Sequence, residues 1–449
     1  MSKINRRDAL KMSGLTAGAV MTGGALSGMS MRKGEGGGVV ERPRAVCGDG
    51  SNPEIRRHLL QTFFIPGEEL APNEMRICFM GTAFSPRLGQ ACNSIFIELG
   101  SGECFVFDCG SGVVMKYICM GVPYSKMTRV FLTHLHGDHM SDLTTIYCFG
   151  PANDRKTPLH VYGPSGPYFD DVNPPVEIPE EGTTAFCQNL YNLCRWHRES
   201  FSFLPTGLTT GEDGYTLIPH ETNYRTIGSR NNYIYPDSTF TSLAKVWSYP
   251  SIHAREGAVG YVLEWNGLRV LFTGDSLPNS QMVDQANQFG EPIDVLISEM
   301  ALDPEVWVNK MAALKQGDPG YWEAVAGNKE VQLSSHTPMK MFGYMLNMTH
   351  PRLAVGTHCF LNNDVWVHAV DEIRSFYPQG DLAFAVDGMV LNLVKGQPIQ
   401  QRMAIYSDFT WPMENIKSYN NPAPPKYHGP RAQFSQFSKN LIINPPYPD

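Results

Sequence analysis

The chain has 449 residues, 42% of them hydrophobic and 18% charged, with a formal net charge of −8. A chain this long can fold around its own apolar core, so its ten cysteines do not read as a small disulfide-stapled framework. The acidic balance argues against a polyanionic partner such as RNA.

Residues 1–45 read as a leader and a Gly-rich linker. Asn5-Arg6-Arg7-Asp8-Ala9-Leu10-Lys11 precedes an uncharged, mildly apolar stretch from Met12 to Met31. Glycine and polar residues interrupt that stretch, so it lacks the run of about 20 apolar residues that a membrane span needs. The pattern resembles a twin-arginine export signal. It implies a periplasmic or secreted protein, carried out folded by the twin-arginine (Tat) translocation machinery and without a stable membrane span. Lys3, Arg6, Arg7 and Lys11 against Asp8 give the segment +3, which leaves −11 on the remainder.

Residues 46–395 read as one catalytic domain in which short apolar strands alternate with helical stretches, the pattern of an α/β fold. Ile77-Cys78-Phe79-Met80 runs into Gly81-Thr82. Phe105-Val106-Phe107 runs into Asp108-Cys109-Gly110, and Val130-Phe131-Leu132 into a histidine-rich loop. Pro158 to Pro164 is a further strand. From about 165 to 245 the periodicity is lost and aromatic residues accumulate, including Tyr168, Tyr191, Trp196, Tyr224 and Tyr235. A stretch of this kind reads as a lid, as a contact within a homo-oligomer, or as a surface insertion. Strands resume around the Asn266-Gly267 turn, at Phe272-Thr273-Gly274-Asp275 and at Asp294 to Glu299. Met339 to Met348 is helix-like. Residues 396–449 form a tail rich in Pro and Asn, read as an extended strap. Cys78, Cys104, Cys109 and Cys148 lie in apolar runs and read as buried thiols, as does Cys359. Cys187 and Cys194 lie in the insertion and could pair.

The densest chemistry is Thr133-His134-Leu135-His136-Gly137-Asp138-His139, on a loop leaving a strand. Imidazole nitrogens and carboxylate oxygens suit borderline divalent metals. His134 and His136 can reach toward one metal, and Asp138 and His139 toward a second. Gly137 is read as the sharp turn between the pairs.

This motif resembles that of the metallo-β-lactamase superfamily of binuclear metal hydrolases. The strands ending in Gly81-Thr82 and Asp108-Cys109-Gly110, and the strand at Pro158–Pro164, are most similar to the tRNase Z and arylsulfatase branch. The resemblance covers about 73–394 and implies an αβ/βα four-layer sandwich. Carried over position by position, it implies that His253 completes the first metal site and His358 the second. Asp275 bridges them. The implied cofactors are two divalent metals, zinc being favoured and iron or manganese also admitted by these ligands. Asp138, also a ligand, and His336 are the implied catalytic residues. His336 lies in Ser334-Ser335-His336-Thr337-Pro338, which matches the branch's substrate-facing histidine and implies a general acid. Ser335 or Thr337 could also cap the helix that follows. Glu299 resembles an acid that orients ligand histidines; an ordinary strand-end carboxylate fits equally. His58, His160, His197, His220, His350, His368 and His428 have no ligand context.

The function expected from these readings is periplasmic hydrolysis of a small-molecule ester, namely an aryl sulfate, phosphodiester or lactone, by hydroxide shared between the metals. A tRNase Z-like nuclease is the alternative. Export, acidic charge and a missing piece speak against it: the RNA-gripping arm of that branch would emerge between His253 and Asp275, only 22 positions apart here. The expectation is therefore that no nucleic acid is bound. A metal-dependent oxidoreductase on this fold would carry a carboxylate in place of His136, and a non-catalytic binding protein would show eroded ligands.

Overall fold

The computed structural model describes residues 63–169, 173–200, 214–360 and 365–404. All fall in one compact unit, Glu54–Asp449; the other unit, Met1–Pro53, contains the export-signal reading and lies outside the described residues. The Pro-rich tail beyond 404 also lies outside them.

In chain order the strands are β1 (Phe63–Phe64), β2 (Glu74–Gly81), β3 (Ser94–Leu99), β4 (Cys104–Phe107), β5 (Arg129–Phe131), β6 (Leu159–Pro164), β7 (Tyr168–Phe169), β8 (Val176–Glu177), β9 (Leu217–Thr222), β10 (Lys245–Pro250), β11 (Val259–Trp265), β12 (Leu268–Phe272), β13 (Val295–Glu299), β14 (Leu353–Thr357), β15 (Leu382–Phe384), β16 (Met389–Val394) and β17 (Gln400–Ala404). The helices used below are α1 (Val113–Cys119), α2 (Gly137–Met140), α3 (Leu143–Phe149), α4 (Thr183–Leu193), α5 (Arg195–Ser200), α6 (Ser280–Asn287), α7 (Pro304–Trp307), α8 (Tyr321–Ser335), α9 (Met339–Thr349) and α10 (Trp366–Arg374).

The strands form two large sheets, ordered β1-β17-β16-β2-β3-β4-β5-β6-β9 and β10-β11-β12-β13-β14-β15. Alternation within each strand sorts the side chains between two faces. Phe105 and Phe107 of β4, Phe131 of β5, Val270 and Phe272 of β12 and Ile297 of β13 fill the space between the sheets. Val106, Val130, Leu271 and Leu296 point the other way, against helices. Val113 and Tyr117 of α1, Ile146 of α3 and Leu190 of α4 cover one sheet. Met282 of α6, Phe342 and Leu346 of α9 and Ile373 of α10 cover the other. The result is the four-layer αβ/βα sandwich. Its central layer is aromatic: Phe107 stacks on Phe272 at 4.1 Å and Phe131 on Tyr162 at 4.4 Å.

Strands β4, β5, β6 and β9 run parallel, as do β12 to β15. Their carboxyl ends therefore gather the loops that carry chemistry, the usual place for a site in parallel sheets.

Three details differ from the expectations. The stretch 165–245 is not all insertion, because β9 pairs along its full length with β6 and forms an edge of the larger sheet. The sheet also takes in β17, which lies in the span read as tail. Cys187 and Cys194 are not bonded; both are free, and the Cys194 thiol lies 3.5 Å from that of Cys148 instead. Cys194 follows α4 and faces α3, and that long-range packing is not written in the local spacing. None of the described helices is long and apolar enough to cross a membrane.

Phe107 touches both sheets. Phe107→Ala should cost about 3–5 kcal/mol of stability, measured by urea unfolding. A loss under about 1 kcal/mol would show that the aromatic layer does not hold the sheets together.

Candidate metal centre

The histidine loop leaves β5 extended and then coils. His136 is extended (φ −71°, ψ 152°) and caps α2, whose first turn holds Asp138 and His139. The His139 amide donates to the His136 carbonyl at 3.0 Å. The change of direction is thus a helix start. Gly137 is the first residue of that turn, and a Cβ built on it meets open space, so the turn between the pairs is made by the helix start and does not depend on Gly137 being glycine.

The glycine that the loop needs is Gly110. A Cβ there would lie 1.9 Å from the Asp138 carbonyl oxygen. The Asp108-Cys109-Gly110 turn packs directly behind α2. The Cys109 amide donates to His139 O at 2.6 Å, and the Asp142 amide donates to Cys109 O at 2.9 Å. Asp108 itself sits at φ 56°, a left-handed conformation that aspartate tolerates. Its buried carboxylate accepts from the Thr133 amide (2.8 Å), Thr133 Oγ1 (2.9 Å) and Asn93 Nδ2 (3.0 Å) and binds His139 Nδ1 (2.8 Å). One side chain therefore locks the start of the histidine loop and the tautomer of one of its histidines. Sequence reasoning assigned Asp108 no role, although the acid directly after an apolar strand was a visible signal.

Four strand ends bring the other candidates to the same place. His253 follows β10, Asp275 follows β12, Glu299 ends β13 and His358 follows β14. His134, His136 and His253 converge, with His134 Nε2 3.0 Å and His253 Nε2 3.1 Å from His136 Nδ1. Asp138, His139, Asp275 and His358 form a second group. In it His139 Nε2 lies 3.2 Å from His358 Nε2 and from Asp275 Oδ1, and His358 Nε2 lies 3.0 Å from Asp138 Oδ2. Asp275 lies between the groups, its second oxygen 3.9 Å from His253 Nε2. All seven candidate ligands meet in one cluster.

The donor chemistry fits cations. The outward nitrogens are already engaged: His253 Nδ1 donates to Ser335 O at 2.7 Å, His134 Nδ1 meets Thr133 Oγ1 at 3.1 Å, and His139 Nδ1 meets Asp108. That pattern fixes which nitrogen faces inward. Asp275 Oδ1 is buried with no hydrogen-bond partner, even though two imidazole nitrogens stand within 3.4 Å. Those nitrogens lie near it without hydrogen-bond geometry, as they would if all shared one cation. Burial holds His134 well below the usual imidazole range, and it holds His253 at about 4, so both are neutral donors at pH 7. Burial opposes charge on Asp138 and Asp275, but the facing histidines outweigh it and push both carboxyls far down. They are oxygen donors at any physiological pH.

His336 stands at the end of α8, outside both ligand groups. Its Nδ1 meets Glu299 Oε2 at 2.7 Å, and Asp275 lies 3.9 Å away. Burial works against its charge, yet the Glu299 hydrogen bond and charge prevail, and its pKa is pushed up to about 9. Glu299 Oε1 is engaged by the Ser276 amide at 2.6 Å, and Glu299 Oε2 lies 3.8 Å from His358 Nδ1. Glu299 is therefore fastened at one oxygen and orients His336 with the other, a pairing across 37 residues that spacing does not reveal. Neither Ser335 nor Thr337 caps α9: Ser335 Oγ bonds Val331 O at 2.7 Å, and Thr337 Oγ1 bonds Ser276 O at 2.5 Å. The cluster opens into a cleft of about 340 Å³, lined by His136, Asp138, His253 and His336 together with Phe84, Leu302 and Trp307.

Residues 87–223 match the model of the Metallo-beta-lactamase superfamily. Ribonuclease Z of Methanothermobacter thermautotrophicus is 37% identical over 93 residues, 20% of this chain and 30% of that protein. Zinc phosphodiesterase ELAC protein 1 of Homo sapiens is 32% identical over 97 residues, 20% of this chain and 26% of that one. The chain thus spans less than a third of the length of these relatives. The solved metallo-beta-lactamase fold protein YhfI of Bacillus subtilis covers 71% of this chain and all of its own, at 17% identity and a TM-score of 0.46. Relatives named for a ribonuclease overturn the expectation that nucleic acid is excluded. Net charge summed over a whole chain does not describe the field at one cleft, and the short gap between His253 and Asp275, occupied by the β11–β12 hairpin, is no bar to RNA by itself.

Asp108→Ala should weaken metal affinity by about 10–100-fold, read by competition with a chromophoric chelator. Unchanged affinity would mean that Asp108 supports only the fold. The layered architecture is that of the metallo-β-lactamase fold, and residues 87–223 of this chain are similar to the Metallo-beta-lactamase superfamily.

Proposed function

We propose that this protein is a metal-dependent phosphodiesterase with two cations, zinc being the favoured metal. The observation that carries the reading is the convergence of the His134–His136–His253 and Asp138–His139–Asp275–His358 groups beside the His336–Glu299 pair. Bound there, two cations would supply Lewis-acid polarisation of a phosphoryl oxygen and acidify water. The names of the relatives, ribonuclease Z and zinc phosphodiesterase, favour phosphorus over sulfur or carbon at the reacting centre.

The chain's own residues divide the rest of the work. Asp275 lies within reach of both groups and holds their spacing. The engaged outer nitrogens of His134, His139 and His253 keep the donors aimed inward before substrate arrives, so little reorganisation remains for the reaction. His336 keeps Nδ1 on Glu299, which leaves Nε2 as the nitrogen for substrate. Protonated at neutral pH, it gives that proton to the departing ester oxygen as the phosphorus–oxygen bond breaks. Glu299 then stabilises the deprotonated ring's orientation until it is recharged from water.

Four substrates test the reaction class: bis(p-nitrophenyl) phosphate, a single-stranded RNA, p-nitrophenyl sulfate and an aliphatic lactone. Both phosphodiesters should be cleaved faster than the other two. Sulfate or lactone hydrolysis without phosphodiester cleavage would overturn the reading. Protein purified without chelator should carry about two metal equivalents. Asp275→Ala should lose both while keeping its far-ultraviolet circular dichroism, and a variant that retains one tight equivalent would show that Asp275 does not bridge.

His336→Ala should keep its metals and lose about 10²–10⁴-fold in kcat on esters with poor leaving groups. The loss should shrink for p-nitrophenolate, which departs without a proton. Equal losses for both kinds of ester would assign His336 to substrate positioning instead.

A further inference from the structure

The metal cleft is lined by two unlike sets of residues. One is the ligand cluster with His336. The other, its apolar wall, comprises Phe84, which follows β2, and Leu302 and Trp307, which follow β13. Phe84 stacks on the buried Phe360 ring at 4.3 Å, and its centroid lies 6.1 Å from that of the His358 ring. Trp307 is the last residue of α7, whose start is fixed by Asp303 accepting from the Glu305 amide at 3.0 Å. It leads directly into a π-helical turn, Val308–Ala312, that ends on Ala313 at φ 54°. Wide turns of this kind and left-handed alanines are strained, and such strain gathers where a side chain must be aimed.

The wall is held in place from α8. Asn328, Val331, Gln332 and Ser335 share one face at helical spacing, and all four line the cleft. Gln332 Nε2 donates both to Leu302 O and to Asn328 Oδ1, so the wall and the helix bearing His336 are tied together. The Ala301 amide donates to Thr337 O at 2.8 Å, on the other side of His336. Phe84 and Trp307 are half-buried, and both line the cleft. No lysine or arginine is among the described residues lining this cleft, so they offer an anionic group no counter-ion beside Phe84 and Trp307. The volume, about 340 Å³, lies at the lower end of the 300–1,000 Å³ typical of small-ligand sites.

We propose that Phe84 and Trp307 form a subsite for a planar aromatic group carried on the leaving oxygen of the ester. The inference rests on the phosphodiesterase reading and adds the substrate's leaving side to it. His336 lines this same cleft with its Nδ1 held by Glu299, so an ester oxygen that meets its Nε2 departs here. In the reaction a water oxygen bonds to phosphorus and loses a proton to solvent, the phosphorus–oxygen bond to the leaving group breaks with its electron pair staying on the departing oxygen, and a proton from His336, replaced from solvent, closes the product hydroxyl. The ring can belong to a small aryl alcohol or to the base of a nucleoside.

Binding and turnover are measured on the metal-loaded full chain. By calorimetry, phenylphosphonate should bind at least about fivefold more tightly than methylphosphonate, the scale of one aromatic stack. Trp307→Ala should erase that ratio, Trp307→Phe should restore most of it, and Phe84→Leu should reduce it. In turnover, methyl phenyl phosphate is compared with a methyl fluoroalkyl phosphate whose alcohol is as acidic as phenol. The phenyl-to-alkyl ratio of kcat/KM should fall at least about fivefold in Trp307→Ala. A dinucleoside monophosphate separates the two sources. If it loses rate in Trp307→Ala along with the phenyl ester, the ring is a base; if the phenyl ester alone loses, the ring is a small aryl group. Both results support the subsite. Equal binding of the two phosphonates, or a ratio that survives in well-folded Trp307→Ala, overturns it even if phosphodiesters are cleaved. A phenyl preference in binding without any phosphodiester cleavage overturns the reaction class and leaves the subsite standing.

Discussion

Seven imidazole and carboxylate groups share one small space in this protein, several of them fully buried. Ionisable groups taken out of water are strongly disfavoured unless a partner compensates each of them. Histidine nitrogens that face one another at 3.0–3.2 Å cannot all be satisfied by each other, and Asp275 Oδ1 has no hydrogen bond at all. The compensation fitted to this arrangement is positive charge at the centre and oriented polar groups at the rim. Much of the surrounding structure reads as a consequence. Asp108 takes His139, Ser335 takes His253, and Glu299 takes His336, each from a different strand end or helix end.

A cluster of that kind needs rigid supports. His253 and Asp275 lie three residues past β10 and β12, His358 one past β14, and the other four donors in the loop and short helix that follow β5; those strands share an aromatic layer. Phe107, Phe131, Tyr261 and Phe272 pack from both sheets into that layer, so the ends of β5 and β12 cannot shift independently. The backbone at the rim is correspondingly tight. Asp108 and His358 both take left-handed conformations, and Gly110 leaves no room for a side chain against Asp138 O. Strain of this sort is stable only where the surrounding packing over-determines it.

The long segment between β6 and β10 has more than one role. Its β9 strand completes the larger sheet, while His220 from that strand meets His160 at 2.8 Å and Asp237 at 2.9 Å. These residues sit away from the metal cluster and tie the segment to the sheet edge. A charge summed over the whole chain does not describe the field inside one cleft.

The part of the site legible in the sequence was the part that is local. His134, His136, Asp138 and His139 lie within six positions, and their residue types declare metal chemistry without any fold. His253, Asp275 and His358 were legible only through resemblance, because each is a single residue after an apolar strand with nothing beside it to mark it. The α/β class followed from short apolar strands alternating with helical stretches, and the four-layer arrangement from the family resemblance. Tertiary structure decided the rest. It paired Glu299 with His336, made Asp108 the anchor of the histidine loop, moved the required glycine from Gly137 to Gly110, set Cys194 against Cys148, and drew β9 and β17 into the sheet. The physical reason is the same in each case. A side chain's role here depends on what stands within about 3 Å of it, and in the folded chain that neighbour comes from a part of the sequence as far away as the 219 residues between His139 and His358.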